Sequence, residues 1–64
     1  METIKTTDLK VGDIFAKELK LHVREAFQVE ELHEGKNYIT VKSRTNNQVS
    51  RFNFLGVPRV ILLR

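Results

Sequence analysis

Tyr38-Ile39-Thr40-Val41-Lys42-Ser43-Arg44 and, beyond Thr45-Asn46-Asn47-Gln48, Val49-Ser50-Arg51-Phe52-Asn53-Phe54 are the stretch on which the reading of this chain turns. Apolar and polar residues alternate in both halves, and many are β-branched or aromatic, the period-two pattern of strands with one buried face. Asparagine tolerates the left-handed backbone that a tight reversal requires, so Asn46-Asn47 predicts a hairpin between the two halves. A turn centred on that pair sets Ile39 against Phe54 and Val41 against Phe52, with all four on a core face. The opposite face then carries Thr40 against Asn53 and Lys42 against Arg51, with Arg44 beside Val49. Ser43 and Ser50 would form a cross-strand polar pair.

Outward from the hairpin, Phe27 and Val29 lead into His33-Glu34-Gly35, which suits a three-residue loop with glycine at its left-handed position. That register places Val29 against Ile39 and Phe27 against Val41. Gln28 and Glu30 join Thr40 and Tyr38 on the outer side. Downstream, Gly56-Val57-Pro58 interrupts the pattern because proline has no N–H to donate, and Arg59 to Leu63 resumes as a short apolar strand closing the sheet near Ile4. Near the start, Lys5 to Gly12 reads as one capped turn stopped by glycine, with a strand from Asp13.

Residues Phe15 to Leu32 admit two readings. Phe15, Leu19, Val23, Ala26 and Phe27 recur at helical spacings among good helix formers. Leu19, Leu21 and Val23 instead alternate as a strand does, Leu21, Val29 and Leu32 fall off the helical stripe, and Glu30 falls on it. The pattern favours two strands joined near Arg24 to Ala26. The expected fold is therefore all-β, with about five short antiparallel strands in one domain spanning residues 1–64. The alternative is an α+β fold with a helix in 15–32 packed on the hairpin.

Leu9-Lys10-Val11-Gly12-Asp13-Ile14-Phe15, followed by short strands and a terminal Val60-Ile61-Leu62-Leu63, resembles small bacterial SH3-like β-barrels, in which a turn ending in Gly-Asp feeds the first strand. The resemblance implies a small barrel. The branch of that superfold that binds proline-rich peptides lines its groove with aromatic residues, whereas this chain has no Trp and Tyr38 is its only Tyr. Barrels of similar size in ribosomal and transcription-associated proteins bind nucleic acid through basic strands and loops, a role the resemblance allows here.

Composition narrows the function classes. The chain has 64 residues, 41% hydrophobic and 30% charged, and no cysteine. A folded chain without a disulfide framework or thiolate ligands fits a reducing, cytoplasmic setting. No apolar run approaches the roughly 20 residues of a membrane-spanning helix, and Met1 to Lys10 lacks an apolar signal core, so neither membrane insertion nor export is expected. The net charge of +3 conceals a division. Residues 1–34 hold all eight acids against five bases, a net of −3, while residues 35–64 hold six bases and no acidic side chain, a net of +6. Such asymmetry between halves points toward nucleic acid or another polyanion.

Catalytic constellations are missing from the pattern. His22 and His33 stand in no metal-ligand spacing, Glu30 and Glu31 are adjacent and so face apart on a strand, and no glycine-rich phosphate loop occurs. His33 reads as a solvated loop residue. The expectation is a non-catalytic module without metal or cofactor, binding nucleic acid through Tyr38, Lys42, Arg44, Asn46, Arg51 and Asn53. Lys, Arg and Asn contact phosphates, and an aromatic ring can stack on a base. The alternative is a protein-interaction or accessory subunit, as a homodimer or with another protein. It would use apolar surface at Leu32, Phe54, Leu55, Val57 and an exposed edge on the terminal strand, because a chain this short gains little stability from its own core.

Overall fold

The protein is described here by a computed structural model covering residues 2–17 and 25–63. In chain order its elements are β1 (Glu2–Lys5), a 3-10 turn (Thr6–Asp8), β2 (Ile14–Ala16), β3 (Ala26–Glu31), β4 (Tyr38–Ser43), β5 (Val49–Asn53) and β6 (Arg59–Leu62). They form one six-stranded antiparallel sheet of order β1-β6-β2-β3-β4-β5. The all-β expectation holds. Phe15 lies in β2 and Phe27 and Val29 in β3, so at these residues the chain is strand rather than the alternative helix. The readings placed on Leu19, Leu21, His22, Val23 and Arg24 lie outside the described residues.

Alternation explains which side is buried. Phe15, Val29, Ile39, Val41 and Val60 project to one face and, with Leu9, make the core; Ile4, Phe27, Phe52, Phe54, Val57 and Leu62 pack around it. Two intervening strands separate β2 from β5, a spacing of roughly 14 Å in a flat sheet. The rings of Phe15 and Phe52 nevertheless approach to 5.2 Å between centroids. The sheet must therefore curl around Phe15, which is fully buried.

The N-terminal segment fastens this curl in a way the capped-turn reading did not anticipate. The 3-10 turn has no side-chain cap at Lys5. Thr6 is buried instead, and its hydroxyl donates to the Val57 carbonyl at 2.8 Å and lies 3.2 Å from that of Pro58. Strand β6 pairs with β1 and β2, closing the sheet near Ile4 as expected, with Ile4 opposite Val60. It is thus an interior strand, not the exposed edge expected of it. The edges are β1 and β5.

Both hairpin registers are displaced by two residues from expectation. In β4–β5, Ile39 faces Phe52, Val41 faces Ser50, Thr40 faces Arg51, Tyr38 faces Asn53 and Lys42 faces Val49. The reversal consists of residues 44–47, because Asn47, at φ 59°, takes the left-handed position at its end rather than at its centre. Asn47 N–H donates to the Ser43 carbonyl and Ser43 N–H to that of Gln48, each at 2.9 Å. A displacement of two preserves every face but changes partners. Ser43 and Ser50 consequently do not pair; the Ser43 hydroxyl accepts from Thr45 N–H at 3.2 Å.

In β3–β4, Val29 faces Val41, Phe27 faces Ser43 and Gln28 faces Lys42. A bulge between Val29 and Glu31 then brings Glu31, rather than Glu30, opposite Thr40. Gly35 has the expected positive φ of 76°, but the connection runs through residues 32–37, longer than three residues.

Candidate nucleic-acid interface

The outer face of β3, β4 and β5 is where the sequence placed its cations, and the register decides how they meet. Directly opposed side chains lie about 4.5–5.5 Å apart at Cβ and diagonal ones up to about 7–8 Å. With Thr40 opposite Arg51, both Tyr38 and Lys42 become diagonal neighbours of Arg51. The head-on Lys42–Arg51 pair of the sequence reading is thereby replaced, which relieves like-charge repulsion while keeping both cations on one face. The Arg51 guanidinium lies over the Tyr38 ring, 4.8 Å from its centroid, a contact worth about 0.5–1 kcal/mol at an exposed site.

Arg44 joins this face from the reversal. Its backbone N–H donates to the Ala26 carbonyl at 2.9 Å, and its Nη1 donates to Gln28 Oε1 at 3.3 Å. Gln28 itself stands opposite Lys42, so Lys42 and Arg44 are brought together through one glutamine. Among the described residues no carboxylate pairs with Lys42, Arg44 or Arg51. The described acids of the N-terminal half do not neutralise this end of the face.

The two asparagines differ from the rest. Asn46 Oδ1 accepts from Gln48 N–H at 2.9 Å, and Asn53 Oδ1 accepts from Leu55 N–H at 2.9 Å. Each carboxamide oxygen is thus engaged in its own turn. Asn53 still stands beside Tyr38 on the outer face, whereas Asn46 sits at the tip of the reversal.

His33 is not the solvated loop residue that its position beside Gly35 suggested. Its Nε2 shares a hydrogen bond of 2.8 Å with Thr40 Oγ1, its ring lies 4.9 Å from that of Tyr38, and its Nδ1 is 3.9 Å from Glu31 Oε1. The longer connection and the bulge fold this histidine back over the sheet. The face therefore has two ends: Lys42, Arg44 and Arg51 form the cationic one, and Glu31 with His33 bounds the other. Nothing in a sequence pattern marks such a bulge. Gln28 could be found, because simple alternation already placed it outward.

Comparison with known proteins yields no match. No family model, curated protein or solved structure is similar enough to this chain to place it, and the functional reading rests on the face itself. Chemically, that face offers guanidinium, ammonium and amide donors beside an aromatic ring. Among the described residues no group of three or more His, Asp or Glu side chains could hold a metal ion.

The apolar residues of the alternative reading are scattered in role. Leu32 and Leu55 are exposed, while Phe54 and Val57 are half-buried and pack on the core.

Proposed function

We propose that this protein is a non-catalytic nucleic-acid-binding module and that the outer face of β4 and β5 receives the phosphate backbone. One observation carries this reading: Lys42, Arg44 and Arg51 lie together on one side of the sheet with no carboxylate partner among the described residues. Cations left unpaired at a shared surface attract a polyanion and release its condensed counterions when they bind it. Arginine suits the task because its planar fork matches phosphate oxygens bidentately. Tyr38 holds Arg51 in place from beneath and adds an aromatic surface to the same patch.

An SH3-like reading of the fold belongs to the same proposal. It draws support from the β2-β3-β4-β5 meander, with β6 returning beside β2.

Titration of a short oligonucleotide into isotopically labelled protein tests the function. The resonances of Lys42, Arg44 and Arg51 should move together, while those of Thr3 and Ile61 on the β1–β6 side stay in place. An absence of shifts at low ionic strength, or shifts centred elsewhere, would remove the proposal.

A further inference from the structure

The two edges of the sheet are chemically unequal. In β1, the bond from Thr6 N–H to the Pro58 carbonyl at 3.1 Å sets the alternation of the β1–β6 ladder. By that alternation the backbone groups of Thr3 and Lys5 point away from β6. The outward Thr3 carbonyl is already occupied, since Arg59 Nη2 donates to it at 3.2 Å, and the same guanidinium reaches Thr3 Oγ1 at 3.2 and 3.3 Å.

Strand β5 is different. Ser43 N–H donates to the Gln48 carbonyl and Phe54 N–H to the Asn37 carbonyl, which fixes both ends of the β4–β5 ladder. Between them the bonded pairs fall at Val41 with Ser50 and Ile39 with Phe52. The N–H and C=O groups of Val49, Arg51 and Asn53 consequently point away from β4, and among the described residues nothing bonds to them. The side chains of these same residues lie on the cationic outer face.

We propose that β5 is a docking edge for an extended acidic peptide, which adds to the sheet as a seventh strand. Main-chain hydrogen bonds to Val49, Arg51 and Asn53 supply the pairing, and alternate side chains of the added strand point over the outer face. Acidic residues at those positions meet Arg51 and Lys42. A second copy of this chain docked edge to edge would instead bring one Arg51 close to the other on the same face, and like charges there oppose it. The site goes beyond the nucleic-acid reading and does not depend on it, because its pairing groups are backbone rather than cationic side chains.

The test uses the full chain and a short peptide of alternating glutamate and threonine, blocked at both ends. Two further peptides serve as comparisons: one alternating lysine and threonine, and one of the acidic sequence with alternate backbone nitrogens methylated along its pairing edge. The acidic peptide should slow amide hydrogen exchange at Val49, Arg51 and Asn53 and leave Thr3 and Lys5 unchanged. N-methylation should weaken binding roughly five- to tenfold, the effect of one or two lost hydrogen bonds, and the lysine peptide should not bind. In the protein, Val49→Pro removes an outward N–H without touching the β4–β5 ladder. It should weaken the acidic peptide similarly while sparing oligonucleotide binding, which separates this site from the proposed function. Equal binding of the methylated and unmethylated acidic peptides would overturn the proposal by reducing it to charge attraction. Absence of protection at the β5 amides would overturn it outright, and both of these outcomes are read on the unsubstituted protein whether or not the proline variant folds.

Discussion

Strands β1 and β5 end the same sheet, yet a neighbouring guanidinium occupies an outward carbonyl of the first, while the outward groups of the second stand open among the described residues beside three cations. At β1, Arg59 spans from β6 to occupy the Thr3 backbone. At β5, Arg51 turns away from its own edge and lies over Tyr38. The difference teaches that the protection of an edge and the placement of charge are separable. An arginine that satisfies a backbone carbonyl blocks one pairing group of an edge, whereas one held on the sheet face by an aromatic ring leaves the edge free and contributes to a surface. Unprotected edges otherwise invite unwanted pairing, so positive charge beside β5 also selects what can approach it.

The largest effect should come from the residue on which both edges depend. Phe15 stands opposite Leu62 of β6 and Phe27 of β3, and its ring meets Phe52 of β5. Truncation of a buried phenylalanine costs about 3–5 kcal/mol, comparable with the roughly 3–5 kcal/mol that a core of this size supplies. Phe15→Ala should therefore be largely unfolded by circular dichroism at room temperature. A cooperative native spectrum in that variant would mean that the two halves of the sheet are stabilised separately and that the comparison of edges within one unit is misplaced.

Thr6→Val sharpens the contrast on the β1 side. It keeps the side-chain volume but leaves the Val57 carbonyl without its 2.8 Å donor. A loss of about 1 kcal/mol is expected, seen as a fall of roughly 4–8 °C in melting temperature for a domain this small. Thr6→Ser should recover most of it. Amide exchange should rise in β1 before it rises in β5.

On the β5 side, the reversal can be probed at Asn47, whose φ of 59° places it in the left-handed region. Asn47→Ala should destabilise by about 1 kcal/mol in urea titrations, while Asn47→Gly should be neutral or slightly stabilising. The smallest change in stability belongs to Arg59→Ala, under about 0.5 kcal/mol for an exposed side chain. Its consequence should be associative: sedimentation at high concentration should reveal self-association once Thr3 is uncovered. A strictly monomeric Arg59→Ala protein would show that the guanidinium does not guard β1.

How much of this was legible in the sequence follows from what alternation can encode. It gave the strands of both hairpins, the core residues Val29, Ile39 and Val41, and the face on which Tyr38, Lys42, Arg51 and Asn53 stand, because a period of two fixes sides; it marked neither β1 as a strand nor Phe15 and Val60 as core. It could not fix registers, since a slip of two leaves each side unchanged. Asn47, Ser43 and Gln48 decide that slip through local hydrogen bonds of the reversal. The bulge beyond Val29 and the return of His33 onto Tyr38 depend on a loop whose length no hydrophobic pattern reports. Thr6 was legible as a turn residue but not as the donor to Val57, because that bond crosses nearly the whole chain.

The ionic-strength dependence of oligonucleotide binding, compared between the natural chain and the double variant Lys42→Ala/Arg51→Ala, tests the central claim most directly. With three cations engaged, the logarithm of the affinity should fall with the logarithm of salt concentration at a slope of about −2 to −3, and the double variant should retain a slope near −1. Binding that is indifferent to salt, or equally steep in the double variant, would contradict the assignment of the β4–β5 face.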